Sequence, residues 1–317
     1  MDKTKIVIDC DPGHDDAVAI LFAARHCDLL AVTTTHGNAS LDKTTRNALA
    51  VLELAGIEVP VAAGYASALV YGTVEATDIH GKSGLDGAEI AEPARKPIDT
   101  HAVEVLIETA HQHKGELVIA PIGPLTNIAA ALKREPRLKD WIREFSIMGG
   151  STTLGNITPA AEFNIYCDPE AAHVVFESNV PIRMVGYNVT RVTGFDQGDI
   201  DRMRVCGKRT ASVIADLMAH YLKRQGAMFG LNVAPMHDVC AITPYLDESL
   251  LTYLETSVKV ELQGTYTRGM TLCDMRGMRA GATQTIQRAG RANAKVAIAS
   301  DARRLIDHVV DAVISFR

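Results

Sequence analysis

Four carboxylates fall within eight residues near the N-terminus of this chain: Asp9, Asp11, Asp15 and Asp16, separated by Pro12-Gly13-His14. A strand that ends, a Pro-Gly turn and a helix start would fold the two pairs toward each other. Acidic residues also favour a helix N-terminus through the macrodipole, and that accounts for Asp15 and Asp16 alone. It does not account for four acids crowded at a buried strand end, whose mutual repulsion is costly unless a cation offsets it. The candidate ligands are oxygens, without cysteine and without paired histidines at zinc spacing, which favours Ca²⁺ or Mg²⁺. A cation-held water beside a carboxylate base supplies a nucleophile at neutral pH, so hydrolysis is the reaction class this cluster suits. A further acid, Asp238, follows His237 ahead of an apolar helix predicted over 239–242. There a helix-capping Asp beside a surface His is the plainer alternative.

The elements around these residues read as alternating strands and helices. Apolar runs predict strands over 6–8, 29–35, 59–63, 117–122, 145–148 and 182–186. Helical patterns run to about 25, then over 41–55, 101–111, 125–132 and 169–177, with a long helix over 203–225. Further strands are predicted over 252–261, 270–274 and 294–298, and a closing helix over 302–314. Such βαβα alternation implies an α/β fold: an open, mostly parallel, Rossmann-like central sheet flanked by helices. In open α/β sheets ligands bind beyond the C-terminal strand ends. Asp9, Asp11, Asn38, Thr126, Asn127, Gly149, Gly150 and Asn188 all follow predicted strands.

The 317 residues show no linker, repeat or low-complexity segment, and predict a single domain over 1–317. The formal net charge of −6 argues against a nucleic-acid partner. The six cysteines form no CxxC pair and lie in apolar segments, which predicts reduced core thiols in a cytoplasmic protein. The N-terminal run reads as a buried strand, not a signal peptide, and nothing reaches the length of a membrane span. No GxGxxG follows the first strand, so a dinucleotide enzyme fits poorly. Among the histidines, His80 sits in a loop beside glycines and His14 is predicted to pack or to face solvent.

The segment DxDPGxDDxxA resembles the signature of the inosine-uridine-preferring nucleoside hydrolases. Further blocks resemble that family in order: 31–38 (AVTTTHGN), 80–85 (HGKSGL), 123–127 (GPLTN), 148–150 (MGG), 155–156 (GN), 161–164 (AEFN), 168–172 (DPEAA) and His237-Asp238. The resemblance implies that Asp11, Asp16 and Asp238, with the backbone carbonyl of Thr126, bind one Ca²⁺ per subunit. It implies that Asp11 is also the general base. Asp15, Asn38, Asn156, Glu162 and Asn164 would hold the ribose hydroxyls, Met148 and Phe163 would line the ribose pocket, and Asp9 would support from behind. His237 would face the leaving base, with His80 the second histidine suited to activating it. The loop at 77–87 (TDIHGKSGLDG) and Gln225 resemble the pyrimidine-preferring branch, implying uridine and cytidine as substrates and a contact from Gln225 to the base. Phe229 departs from that branch, which tends to carry Tyr there. Purine or modified ribosides therefore stay open as alternatives, as does a non-catalytic, metal-stabilised nucleoside-binding protein. The family also implies a homotetramer or homodimer.

Overall fold

The computed structural model describes residues 3–278 and 291–317. The strands are β1 (Lys5–Cys10), β2 (Asp28–Thr34), β3 (Val61–Ala63), β4 (Leu117–Pro121), β5 (Ile142–Met148), β6 (Ile182–Val185), β7 (Gly194–Phe195), β8 (Ala234–Pro235), β9 (Leu251–Thr256), β10 (Val258–Val260), β11 (Thr271–Cys273) and β12 (Ala294–Ser300). The helices are α1 (His14–His26), α2 (Leu41–Leu54), α3 (Thr77–His80), α4 (Ala102–Gln112), α5 (Thr126–Arg134), α6 (Leu138–Trp141), α7 (Phe163–Cys167), α8 (Pro169–Phe176), α9 (Tyr187–Thr190), α10 (Gln197–Val205), α11 (Arg209–Phe229) and α12 (Ala302–Ser315).

Eight strands form one sheet in the order β3-β2-β1-β4-β5-β6-β12-β9. Every pairing is parallel except β12 with β9. The predicted open, mostly parallel sheet is therefore what the chain builds. Alternation along β1 explains why it sits at the centre. Ile6 and Ile8 join the apolar layer that contains α1 and α11, whereas Val7 joins the layer that contains α4 and α5. A strand buried on both faces reads as a continuous apolar run, as residues 6–8 do. The connection order reverses between β1 and β4, so the chain leaves these neighbours in opposite directions. That opens a crevice at their C-terminal ends, where this class of sheet binds ligands.

Two predicted elements divide. The helix expected over 203–225 is two helices, α10 and α11, with Gly207 between them at φ 70°. That left-handed conformation is open to glycine and stops the first helix. The strand expected over 252–261 breaks at Ser257: Thr256 pairs with Ala294 in the main sheet, and Val258 pairs with Cys273 in a two-stranded ribbon. The apolar run at 239–242 makes only a 3₁₀ turn, Asp238–Ala241. The six cysteines are free. Among the described residues no helix is long and apolar enough to cross a membrane.

Candidate active site

The acid cluster forms as the local sequence dictates. β1 delivers Asp9 and Asp11, the Pro12-Gly13 turn reverses the chain, and α1 starts at once with Asp15 and Asp16 in its first turn. Asp16 ties the turn together, accepting from Asp11 N at 3.2 Å and Gly13 N at 2.9 Å. Asn38, beyond the end of β2, donates from its backbone to Asp11 Oδ2 at 2.6 Å. Its amide donates to Asp11 O and Asp16 Oδ2, each at 3.1 Å. Two glycines permit this crowding. A Cβ on Gly13 would lie 2.6 Å from His80 Nδ1, and one on Gly37 would lie 2.1 Å from Asp11 Oδ2.

Asp238, 222 residues after Asp16 in the chain, closes the cluster. Oxygens of Asp15, Asp16 and Asp238 all lie within 4.8 Å of one another, and all three side chains are buried. Asp11 stands against Asp16, with its Oδ1 buried and, among the described residues, without a hydrogen-bond partner. Burial pushes the carboxyls of Asp11, Asp15 and Asp238 well above the usual range, and their mutual repulsion adds to it. Burial also lifts Asp16 to about 6, against the hydrogen bonds it accepts from Gly13 and Asp11. Four buried carboxylates, one with an orphaned oxygen, form a donor set that a hard divalent cation fits. Thr126 starts α5, and its hydroxyl donates to Asp168 Oδ2 at 2.8 Å and lies 3.1 Å from His36 Nε2.

Next to the cluster lies a cavity of about 170 Å³. Asp15, Asn38, His80, Met148, Asn156, Glu162, Phe163, Asn164, Gln225 and His237 all line it. Their chemistry is oriented by the backbone. Glu162 caps α7, accepting from Asn164 N at 2.9 Å, and also accepts from Gly150 N at 2.8 Å. Burial nonetheless raises its carboxyl to about 7. Asn156 Oδ1 accepts from Phe163 N at 2.8 Å, which leaves its amide NH₂ as a donor. Asn164 Nδ2 donates to Ile122 O at 2.8 Å and Met148 O at 3.2 Å, which leaves its Oδ1 as an acceptor. His80, His237, Gln225, Tyr221 and Phe229 also line the cavity. Burial pushes His237 down to about 4 and His80 well below its ordinary value, so both rings are neutral at pH 7.

Some polar strand ends serve the scaffold instead. Asn127 donates to Asp9 Oδ1 at 2.8 Å and Thr34 O at 3.0 Å, and accepts from Tyr65 N at 2.9 Å. Asn188 donates to Ala297 O at 3.0 Å. Asp9 is buried behind Asp11, bonded to Thr33 and Asn127, with burial raising it to about 7. His14 does not face solvent: it is fully buried and hydrogen-bonded. Tyr221 and Tyr187, absent from the sequence reading, also line the cavity. Tyr221 lies one helical turn before Gln225 on α11, a spacing that would have found it.

The family model of the inosine-uridine preferring nucleoside hydrolases matches residues 6–307. The pyrimidine-specific ribonucleoside hydrolase RihB of Escherichia coli is 41% identical over 280 residues, covering 88% of this chain and 90% of that protein. A plant nucleoside hydrolase structure, PpNRh1, superposes with a TM-score of 0.90 at 32% identity, covering 99% of both chains. The purine-preferring ribonucleoside hydrolase from Gardnerella vaginalis superposes with a TM-score of 0.89 at 32% identity over 98% of both chains.

Proposed function

We infer, from a chain that belongs to the inosine-uridine preferring nucleoside hydrolase family and is a ribonucleoside hydrolase, that it cleaves uridine and cytidine to ribose and free base with one Ca²⁺ per subunit. When bound, the cation supplies Lewis acidity that lowers the pKa of water at neutral pH. Asp11, whose Oδ1 has no other partner, takes the proton of the attacking water. Asp11, Asp16, Asp238 and the Thr126 carbonyl would hold the cation. Asp15, Asn156, Glu162 and Asn164 hold the ribose hydroxyls, with Asn156 donating and Asn164 accepting, while Met148 and Phe163 pack the sugar. Asn38 supports the same end through Asp11 and Asp16.

Cleaving the N-glycosidic bond builds positive charge on the ribose, and the buried carboxylates stabilise it electrostatically. The bonding pair leaves with the base, which His237 assists by donating from Nε2. The Thr190 hydroxyl, 2.7 Å from His237 Nδ1, is placed to donate to that nitrogen and keep the proton on Nε2. Gln225 addresses the base edge. The reading is carried by the convergence of ribose-binding and base-facing side chains on one cavity beside the acid cluster. The pyrimidine preference is supported by the 41% identity to a pyrimidine-specific relative. We place the enzyme in the cytoplasm, as a homo-oligomer, acting in nucleoside salvage.

Phe229 favours a second reading, a purine or modified riboside, because it brings no hydroxyl to the base end of the cavity. Product analysis with uridine, cytidine and inosine separates the two: inosine turned over best would overturn the pyrimidine assignment. Asp11→Ala should abolish turnover with the fold intact, and near-normal activity in that variant would remove Asp11 from the mechanism.

A further inference from the structure

His14 is buried one residue before the acid pair of α1, and the chemistry proposed above leaves it without a task. Its Nε2 lies 2.8 Å from the backbone carbonyl oxygen of Asp86. A carbonyl only accepts, so Nε2 carries the proton. The ring packs against the rings of His80 at 5.2 Å, Tyr221 at 5.2 Å and His220 at 5.8 Å, and among the described residues no carboxylate bonds either ring nitrogen. A buried imidazole with no acid partner holds one ring proton, not two. Its Nδ1 is therefore a bare acceptor. His80 Nδ1 lies 3.0 Å from it and must donate. The backbone N–H of His14 is also in hydrogen-bond geometry toward His80 Nδ1, at the longer distance of 3.3 Å. For His80 Nδ1 to accept that bond instead, either two bare nitrogens would face each other at 3.0 Å, or His14 would have to become a buried cation or give up the short bond to Asp86. Among the described residues His80 Nε2 has no partner in the chain, and His80 lines the cavity.

We propose that His14 is a positioning residue that holds His80 as its Nδ1–H tautomer, so that the Nε2 lone pair faces the cavity and accepts an N–H from the base. The inference rests on the nucleoside hydrolase reading for its ligand. It divides the labour between the two cavity histidines: His237 donates, and His80 reads a donor on the leaving group. The preferred base therefore presents an N–H at that edge, as N3–H of uracil or the amino group of cytosine does. A base methylated there loses the contact.

Tautomers are observable directly by ¹⁵N NMR on the full-length, Ca²⁺-loaded protein labelled at histidine, with peaks assigned by their loss in His14→Phe and His80→Asn. His80 should show a protonated Nδ1 and a bare Nε2, and His14 the reverse. A protonated Nε2 on His80 overturns the proposal, and this readout needs no turnover. In His14→Phe, which keeps the ring stack but not the acceptor, kcat/KM for uridine should fall about tenfold, the worth of one hydrogen bond. The lower kcat/KM for 3-methyluridine should change by less than about twofold, and an equal loss on both nucleosides counts against the proposal. Absence of turnover with any ribonucleoside would refute the proposed function while the spectrum still decides the tautomer.

Discussion

Replacing Asp238 by Asn tests whether the acid cluster is built for a cation. Asp238 sits at the start of a 3₁₀ turn, and the charged groups that act on it are Asp15, Asp16 and Asp11. At the 4.8 Å limit of the cluster, two ionised carboxylates repel by about 3 kcal/mol at an effective dielectric constant near 20. In chelator at pH 8, Asp238→Asn removes one partner from that repulsion. The variant should be at least as stable as the parent, by up to about 3 kcal/mol. In Ca²⁺ the sign reverses. A cation at 100 times its Kd stabilises the parent by about 2.7 kcal/mol, or about 4 °C in Tm for a chain of this size. The variant, short of one anionic ligand, should gain less than about 1 °C at the same concentration. The assay is thermal unfolding of both proteins in EGTA and in Ca²⁺, a two-by-two comparison that needs no substrate. The cation-site argument is refuted if the variant keeps the full calcium increment. It is equally refuted if the variant is destabilised by more than about 1 kcal/mol in EGTA, since Asp238 would then be a structural hydrogen-bonding group.

Calcium affinity should fall as pH drops from 8 to 6, because the carboxyls of Asp11, Asp15, Asp16 and Asp238 titrate above their ordinary range in the metal-free fold and must release protons to a cation; isothermal titration at several pH values measures this. The same shifts make the metal-free protein bind more protons folded than unfolded, so its unfolding free energy should decline as pH rises from about 4 toward 7, as denaturant titrations in EGTA would report. Phe229→Tyr should raise kcat on uridine by about tenfold if a hydroxyl at that rim position can hydrogen-bond the leaving base, and steady-state kinetics on uridine and inosine would show whether the gain is confined to the pyrimidine. Asn127→Ala should destabilise the fold by about 2–3 kcal/mol, since it strips partners from the buried Asp9, the Thr34 carbonyl and the Tyr65 amide together; urea unfolding gives the number.

Much of this protein is legible from residue order because its information is local. Residues 6–8 are apolar throughout, which marks a strand covered on both faces. Asp11, Pro12, Gly13, Asp15 and Asp16 are neighbours in sequence, so one strand-turn-helix unit brings their carboxylates together whatever the remainder of the chain does. The division of the long helix at Gly207 was visible as a glycine, but a single glycine inside a helical pattern costs only about 1 kcal/mol, and tertiary packing decides whether the helix stops there. Three things were settled only by the assembled fold. Packing of the 3₁₀ turn Asp238–Ala241 against α1 brings Asp238 to within 4.8 Å of Asp15 and Asp16. Asn127 and Asn188, strand-end amides like Asn38 on paper, turn out to brace neighbouring segments because carbonyls and carboxylates from other elements reach them first. Finally, His14 reads in sequence as a residue of no consequence. A hydrogen bond to the carbonyl of Asp86, 72 residues later, makes it the neighbour that sets the proton on His80, and no spacing rule carries a contact of that range.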